Sequence, residues 1–367
     1  MKVLVVGGTG PTGIPAVARL VEHGHAVTIL HRGLHERPET PAAVTHLHAD
    51  PYDEASFTAA LGDTTWDVIV GMYGRLRMVA RATVGRCGHF VSVGGVPVYR
   101  GWTNAWLFDP PGLPVPVRED HPVVDDPALD GKGYRIARTE AAVFAAHPGA
   151  AHFRYPYLYG PYQPVPREWS IVRRILDGRR RMVVADDGLT LHHHCYTFNC
   201  SAALVRAIEA PEASAGYAFN IGDAEVLTVR QVVELCAAEL GVELELVSMP
   251  YDLAVPARPL LAQPLPTHRV LDTTLVRERL GHRDEVEART AVGRTARWLV
   301  EHPPASGGLE EQVLTDPFDY PAEDALMDSW STARAAVGVP GFATPPAYGL
   351  AYSGPAGRPR THAEFVE

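Results

Sequence analysis

Two hydrophobic periods take turns along the first hundred or so residues. "KVLVV" (2–6) is an unbroken apolar run rich in β-branched residues, as a strand covered on both faces requires. After "GGTGPTG" the spacing changes: Ile14, Val17, Ala18 and Val21 recur at helical intervals, and Gly24 stands where a C-terminal cap belongs. "HAVTILHR" returns to a strand pattern, which predicts a β-α-β unit with a right-handed crossover. The rhythm continues with "AVTHLHAD" as strand, "EASFTAAL" as helix, "WDVIVGM" as strand, "RLRMVARATVG" as helix and "HFVSVGG" as strand. Such alternation predicts an α/β fold around a doubly wound, mostly parallel sheet. Farther along, Thr228 and Gln231 form a capping box ahead of "VRQVVELCAAEL", whose Val232, Val233, Leu235 and Cys236 make an apolar stripe.

The glycines between the first strand and helix carry the most specific chemistry. Gly7, Gly10 and Gly13 make G-x-x-G-x-x-G, and Gly8 with the last two makes G-x-G-x-x-G. A turn this tight lets the backbone approach a pyrophosphate while the first amides of the helix face the anion. Thr9, Pro11 and Thr12 lie in the same loop and complete the expected dinucleotide contacts. The second strand ends His31, Arg32 with no carboxylate. An acidic residue there suits the free 2′-hydroxyl of NAD, whereas a guanidinium suits a 2′-phosphate, so Arg32 points to NADP with NAD as the alternative. A solvated arginine at a strand end is the plainer reading. Asp50, ending the third strand, is placed beside the adenine, and Gly71, Met72 and Ser92 fall at carboxyl ends of strands around the same crevice.

Composition narrows the partners. The 367 residues carry 33 basic and 43 acidic side chains, a net charge of -10 without long runs of one sign, which disfavours nucleic acid. Four irregularly spaced cysteines do not make a disulfide framework, and no stretch approaches the roughly 20 apolar residues of a membrane span, so a cytoplasmic protein without membrane contact is expected.

Beyond the fifth strand the chain resembles the extended short-chain dehydrogenases/reductases, the NAD-dependent epimerase/dehydratase type. After "FVSVGG" come "VPVY", a long loop, "PVREDHPV", the helix around "YRIARTE", then "HFRYPYLYGP", "AGYAFNIGD" and "LTVRQVVELCAAELG", followed by "LDTTLVRERLG" and "TAVGRTARWLVEHP". The resemblance runs from residue 1 to about residue 304, in order and in type. It implies a Rossmann-type nucleotide domain over 1–160 to which 190–225 returns. A smaller C-terminal α/β substrate region would occupy 161–330, mainly 161–189 and 226–330, ahead of a Pro/Gly-rich tail at 331–367.

In that family a tyrosine exchanges a proton with the reacting oxygen while hydride passes between cofactor and carbon. A lysine four residues later holds the nicotinamide ribose and lowers the tyrosine's pKa from its ordinary value of about 10. A hydroxyl residue after the fifth strand polarises the substrate oxygen. Tyr134 matches the tyrosine, Arg138 stands at the lysine position, and Ser92 is the nearest hydroxyl, with Gly94 beside it on the substrate side and Tyr157 on the cofactor side. Arginine keeps the charge but cannot relay a proton. Lys132, two residues before Tyr134, is expected on another face of the helix. A tyrosine and an arginine one turn apart also make an ordinary surface contact.

The second half offers cations for an anionic substrate such as a nucleotide sugar: Arg154 in its strand and Arg167 after it. In "LHHHCY" a strand would set His192 and His194 on one face as substrate contacts and His193 on the other, and nothing nearby completes a metal site. The loop from 100 to 127, with Trp102, Trp106 and Phe108, reads as a lid or an oligomer contact. The leading reading is an NADP(H)-linked oxidoreductase acting at a carbonyl or hydroxyl carbon of a small polar molecule, with a homodimer usual for such a family. A nucleotide-sugar epimerase retaining NAD and a retired NADP-binding sensor are the alternatives.

Overall fold

A computed structural model describes residues 1–34, 36–72, 75–261, 267–338, 340–343, 349–350 and 360–361. Met1–Phe318 form one compact unit and Asp319–Glu367 a second. In the first, β1 (Lys2–Val6), α1 (Gly13–Glu22), β2 (Ala26–His31), β3 (Thr45–His48), α2 (Glu54–Leu61), β4 (Trp66–Met72), α3 (Leu76–Ala82) and β5 (Cys87–Gly95) follow the predicted alternation. Then come α4 (Gly131–Ala146), β6 (Ala151–Tyr155), β7 (Tyr157–Tyr159), α5 (Trp169–Leu176), β8 (Arg181–Ala185), β9 (His194–Tyr196) and α6 (Thr197–Glu209). After α7 (Pro211–Ser214), β10 (Ala218–Asn220) closes the sheet, and α8 (Val229–Glu239) leads into β11 (Glu245–Met249).

Seven parallel strands make the central sheet in the order β10-β6-β5-β4-β1-β2-β3. The chain reverses direction between β1 and β4, the switch point where a crevice opens in such sheets. Both faces are covered, which explains the continuous apolar runs. Val3 and Val5 face a core with Val17 and Leu204, whereas Leu4 and Val6 face one with Phe57, Val79 and Val143. Each such side chain contributes about 1.5–3 kcal/mol when fully buried.

One predicted strand is divided. "HFRYPYLYGP" breaks at Pro156, which has no amide for the ladder: β6 stays in the sheet and β7 leaves to pair with β9. On the substrate side β8 and β11 form a parallel pair joined through α8, and Thr228 and Gln231 complete the expected capping box. The long loop after β5 folds inward. Trp102 is fully buried among Val96, Val98, Tyr99 and Leu113, while Trp106 stays 66% exposed. In the second unit a helix, Tyr320–Ala336, starts at the side-chain cap of Asp319. Most of the tail from 339 onward lies outside the described residues.

Candidate active site

The glycine loop is shaped by what its glycines lack. Gly7 (φ +107°) and Gly8 (φ +89°) take backbone conformations that side chains rarely adopt, and Gly7 donates its amide to Leu30 O at 2.9 Å. A Cβ on Gly13 would sit 2.6 Å from the backbone of Gly8, so α1 can start this close to the loop only with glycine there. Gly10 faces open space. The first turn of α1 has no acidic side chain, so the positive end of the helix is left for an anion, although Ile14 already donates its amide to the Gly10 carbonyl at 3.0 Å and Pro15 has none. Thr12 is the buried N-cap, and Thr9 and Pro11 are partly exposed beside it. Gly71 and Met72 end β4 next to this loop, with the Met72 carbonyl 3.0 Å from where a Gly7 Cβ would be.

At the ends of β2 and β3 the expected adenosine contacts are in different states. Arg32 is exposed, its guanidinium 5.7 Å from the centre of the Tyr52 ring. The Asp50 carboxylate accepts the Tyr52 amide at 2.9 Å, and its own amide donates to Ser56 Oγ, so Asp50 shapes the turn before α2.

Beyond β4, β5 and β6 lies a cavity of about 450 Å³. Gly94, Gly95, Val96 and Pro97 form the β5 side, His152, Tyr155 and Tyr157 the β6–β7 side, and Trp102 comes from the long loop. From α4 the lining residues are Lys132, Arg135, Ile136 and Thr139, a single helical face. The phase of this helix is set at its start. Asp130 caps the amides of Lys132 and Gly133, and a Cβ on Gly133 would meet the Pro97 carbonyl at 2.5 Å. Tyr134 is turned about 200° from Lys132 at 100° per residue and does not line this cavity. Instead Arg138 Nη1 donates to Tyr134 Oη at 3.0 Å in an exposed contact.

Ser92 is also displaced from the cavity. It is fully buried within the sheet and hydrogen-bonded to His152 Nδ1 at 2.8 Å, and the strand reaches the cavity one residue later, at Val93. Of the expected site residues Gly94 and Tyr157 line this cavity, whereas Ser92, Tyr134 and Arg138 do not. Lys132, Arg135, Ile136, Thr139 and Gly95 take their place. The signal that could have found them is Gly133 after Asp130, a cap followed by a close-packed glycine that fixes which face looks inward.

The buried cations are committed. Arg154 donates two bonds to Glu140, at 2.9 and 2.6 Å, and others to Tyr99 Oη and the Glu119 carbonyl, so it braces β6 to α4 rather than reaching a substrate. Burial raises the Glu140 carboxyl, but Arg154 outweighs it and the net shift is downward. His152 is held down to about 4, first by burial and then by Arg154, with Glu140 opposing, and it is therefore neutral. Its Nε2 lies 3.5 Å from a Glu140 oxygen and makes no hydrogen bond among the described residues.

His192 and His194 do share a face, their ring centres 4.7 Å apart. Between them Arg167, 3% exposed, donates to His194 Nε2 at 2.7 Å, lies 3.4 Å from His192 Nδ1, and stacks over Tyr157 at 4.2 Å. Burial, then the Arg167 charge, lowers the pKa of both histidines. His193 points the other way, donating to the Asp223 carbonyl and accepting the Leu271 amide. A separate small recess is lined by Arg167, His192, His194, Leu227 and Leu260.

No family model matches the chain. Among curated proteins it is similar to a 3-diazoavenalumate denitrifying reductase from a Streptomyces species, 28% identical over 326 residues that cover 84% of this chain and 99% of the relative. A UDP-glucose 4-epimerase from Corynebacterium glutamicum is 26% identical over 275 residues, 66% of this chain and 81% of the other. Among solved structures, the Thermotoga maritima UDP-glucose 4-epimerase with UDP-glucose superposes with a TM-score of 0.65 at 17% identity, covering 82% of this chain and 99% of that one. The Bordetella bronchiseptica enzyme WbmH in complex with NAD+ gives 0.62 at 17% identity, with the same coverage.

Proposed function

We propose that this chain, which has the extended short-chain dehydrogenase/reductase fold of the NAD-dependent epimerases and dehydratases, is a nicotinamide-dependent reductase that delivers hydride to a carbon able to accept it without a phenol acid from α4. The observation that carries this reading is the cavity wall, which Gly94, Gly95, Lys132, Ile136 and Thr139 line and Ser92, Tyr134 and Arg138 do not, its two tyrosines, Tyr155 and Tyr157, coming from the β6–β7 side. Reducing a ketone requires a proton at oxygen as hydride reaches carbon, and a positioned acid commonly contributes about 10²–10⁴-fold. The ring carbon of an aryl diazonium ion has no such need: the new C–H bond forms with the hydride pair, and the C–N pair departs with N2, which neutralises the cation. The Streptomyces relative's name describes a reduction with loss of nitrogen from a diazo compound, so an aryl diazo compound is the substrate class we assign.

The dinucleotide, when bound, supplies the hydride. The glycine loop would hold its pyrophosphate, and Arg32, free of any ion pair among the described residues, would favour a 2′-phosphate and hence NADP. Residues 1–160 with 190–225 serve the nucleotide and 161–189 with 226–318 the substrate side. Lys132 and Arg135 would hold an anionic substituent at the cavity mouth, and Trp102, Tyr155 and Tyr157 suit a planar ring. A homodimer is the assembly the family resemblance implies, to be checked by solution mass.

The test uses NADPH deuterated at the transferred position and a carboxylated aryl diazonium salt. The expected result is deuterium on the ring carbon, one N2 per NADPH oxidised, and slower reaction with NADH. A second reading rests on Arg167 and Arg269, each at most 3% exposed on the substrate side, which would neutralise the diphosphate of a nucleotide sugar, the substrate class that the epimerase relative's name gives. Retained NAD and interconversion of a UDP-sugar without net oxidation, together with inertness toward the diazonium, would establish that reading and sink the first.

A further inference from the structure

The free edge of the sheet carries a cluster that the crevice does not use. His31 ends β2, His46 and His48 alternate along β3, and Glu36 follows in the connecting loop. Strand periodicity puts His46 and His48 on one face, and the parallel register sets His31 against His48. The ring centres lie 5.1 Å (His31–His46), 5.0 Å (His31–His48) and 6.1 Å (His46–His48) apart.

We propose that His31, His46, His48 and Glu36 form a binding site for one divalent transition-metal ion of the zinc type. One ligand atom from each of the four lies within 4.8 Å of all the others. A tetrahedral ion bound at about 2.1 Å needs its ligand atoms about 3.4 Å apart. Three separations bracket that value: His31 Nε2 to His46 Nδ1 is 2.9 Å, His48 Nε2 to Glu36 Oε1 2.9 Å, and His46 Nδ1 to Glu36 Oε1 3.7 Å. Three imidazoles and one carboxylate suit zinc and its neighbours rather than magnesium or calcium, which prefer oxygen. The wall is preformed at His31, 6% exposed, and the side chains of His48 and Glu36, 58% and 51% exposed, leave the entrance open.

Proton bookkeeping sets what must move. The Gly33 amide donates to His31 Nδ1 at 3.0 Å, so the neutral ring carries its proton on Nε2 and donates it to His46. Ligation through Nε2 shifts that proton to Nδ1 and releases the Gly33 amide, which sits in an exposed turn and can turn to water. A second group, His23, His25 and Glu209, has three members, and both histidines contact the same carboxylate oxygen, at 2.6 and 3.0 Å. That set has no fourth ligand among the described residues.

The test is titration of the chelator-treated full chain with zinc by calorimetry, and with cobalt by visible absorption. One equivalent should bind, with the intense bands of four-coordinate cobalt. His46→Ala/His48→Ala, and separately Glu36→Gln, should weaken zinc by at least the roughly tenfold that follows loss of an outer partner. His23→Ala/His25→Ala should leave it unchanged, and melting curves in chelator check that every variant is folded. Failure of the wild type to bind one equivalent overturns the site, as does binding that survives Glu36→Gln and the His46/His48 pair or is lost in the His23/His25 pair.

Discussion

The two sides of the crevice are made of different material. The side toward β1 is backbone: Gly7, Gly8 and Gly13 let the loop turn tightly and pack against α1, and each of the three works by having no side chain. The side toward α4 is side chain: Lys132, Arg135, Ile136 and Thr139 line the cavity because Asp130 and Gly133 fix the helix phase. A backbone site keeps its chemistry so long as nothing is added. A side-chain site changes identity when a helix turns, and a two-residue shift turns it by about 200°. The same fold can therefore keep its cofactor while exchanging the chemistry beside it.

The largest effect should come from adding one methyl group to the backbone side. In Gly13→Ala the new Cβ falls 2.6 Å from the Gly8 backbone, which cannot rotate away as a side chain would. Overpacking of this kind costs about 1–3 kcal/mol, and here it displaces the amides that would face the pyrophosphate. Dinucleotide affinity should fall on the order of 100-fold, measured by fluorescence titration with NADPH. Undiminished affinity would mean the loop is not the pyrophosphate site.

This contrast also explains what could be read from the sequence. Gly7, Gly10 and Gly13 were legible because a strand, a glycine turn and an amphipathic helix constrain one another over a short span. The strands through β5 were legible for the same reason, since both sheet faces bury apolar residues. Tyr134 and Arg138 match the family's tyrosine and lysine positions through their four-residue interval, and such an interval is satisfied on every face of a helix. The inward face is decided by contacts with Pro97 and Trp102, distant in sequence and fixed only when the loop folds back. Arg154 looked available as a lone cation in a strand, and its partner Glu140 lies one element away. The cluster of His31, His46, His48 and Glu36 is hidden in the sequence because its members come from two strands and a loop.

A second effect, on stability rather than affinity, should separate the buried part of the side-chain wall from its rim. His152 has a folded pKa of about 4, below its ordinary 6.5, because burial penalises the charged ring. A histidine depressed in this way contributes stability that is complete above pH 6.5 and is lost as pH falls toward 4, where the unfolded chain takes up a proton that the folded one refuses. Each pH unit in that window removes about 1.4 kcal/mol, so His152 alone accounts for roughly 3 kcal/mol. His193, also near 4 through burial, adds a similar loss. Asp223, raised by burial to about 6 from 3.8, runs oppositely: its contribution is complete below 3.8 and lost as pH rises through 6, so it offsets part of the acid loss. Urea melts at pH 7 and pH 4.5 should show a net fall, with a shallower dependence in His152→Gln. An equal dependence in that variant would remove His152 from the account.

The smallest effect is the most discriminating. Tyr134→Phe deletes a hydroxyl whose observed bond is an exposed one to Arg138, and exposed contacts of this sort rarely exceed about 0.5 kcal/mol. Hydride transfer to the diazonium probe should change less than about twofold. Lys132→Met removes the ammonium from the cavity wall and should raise KM for a carboxylated substrate by roughly tenfold, the loss of one charge-assisted bond, while leaving kcat largely intact. If instead Tyr134→Phe abolishes turnover and Lys132→Met is silent, α4 must rotate or unwind on binding. The side-chain wall would then be a property of the free protein, and the phenol would return as the acid.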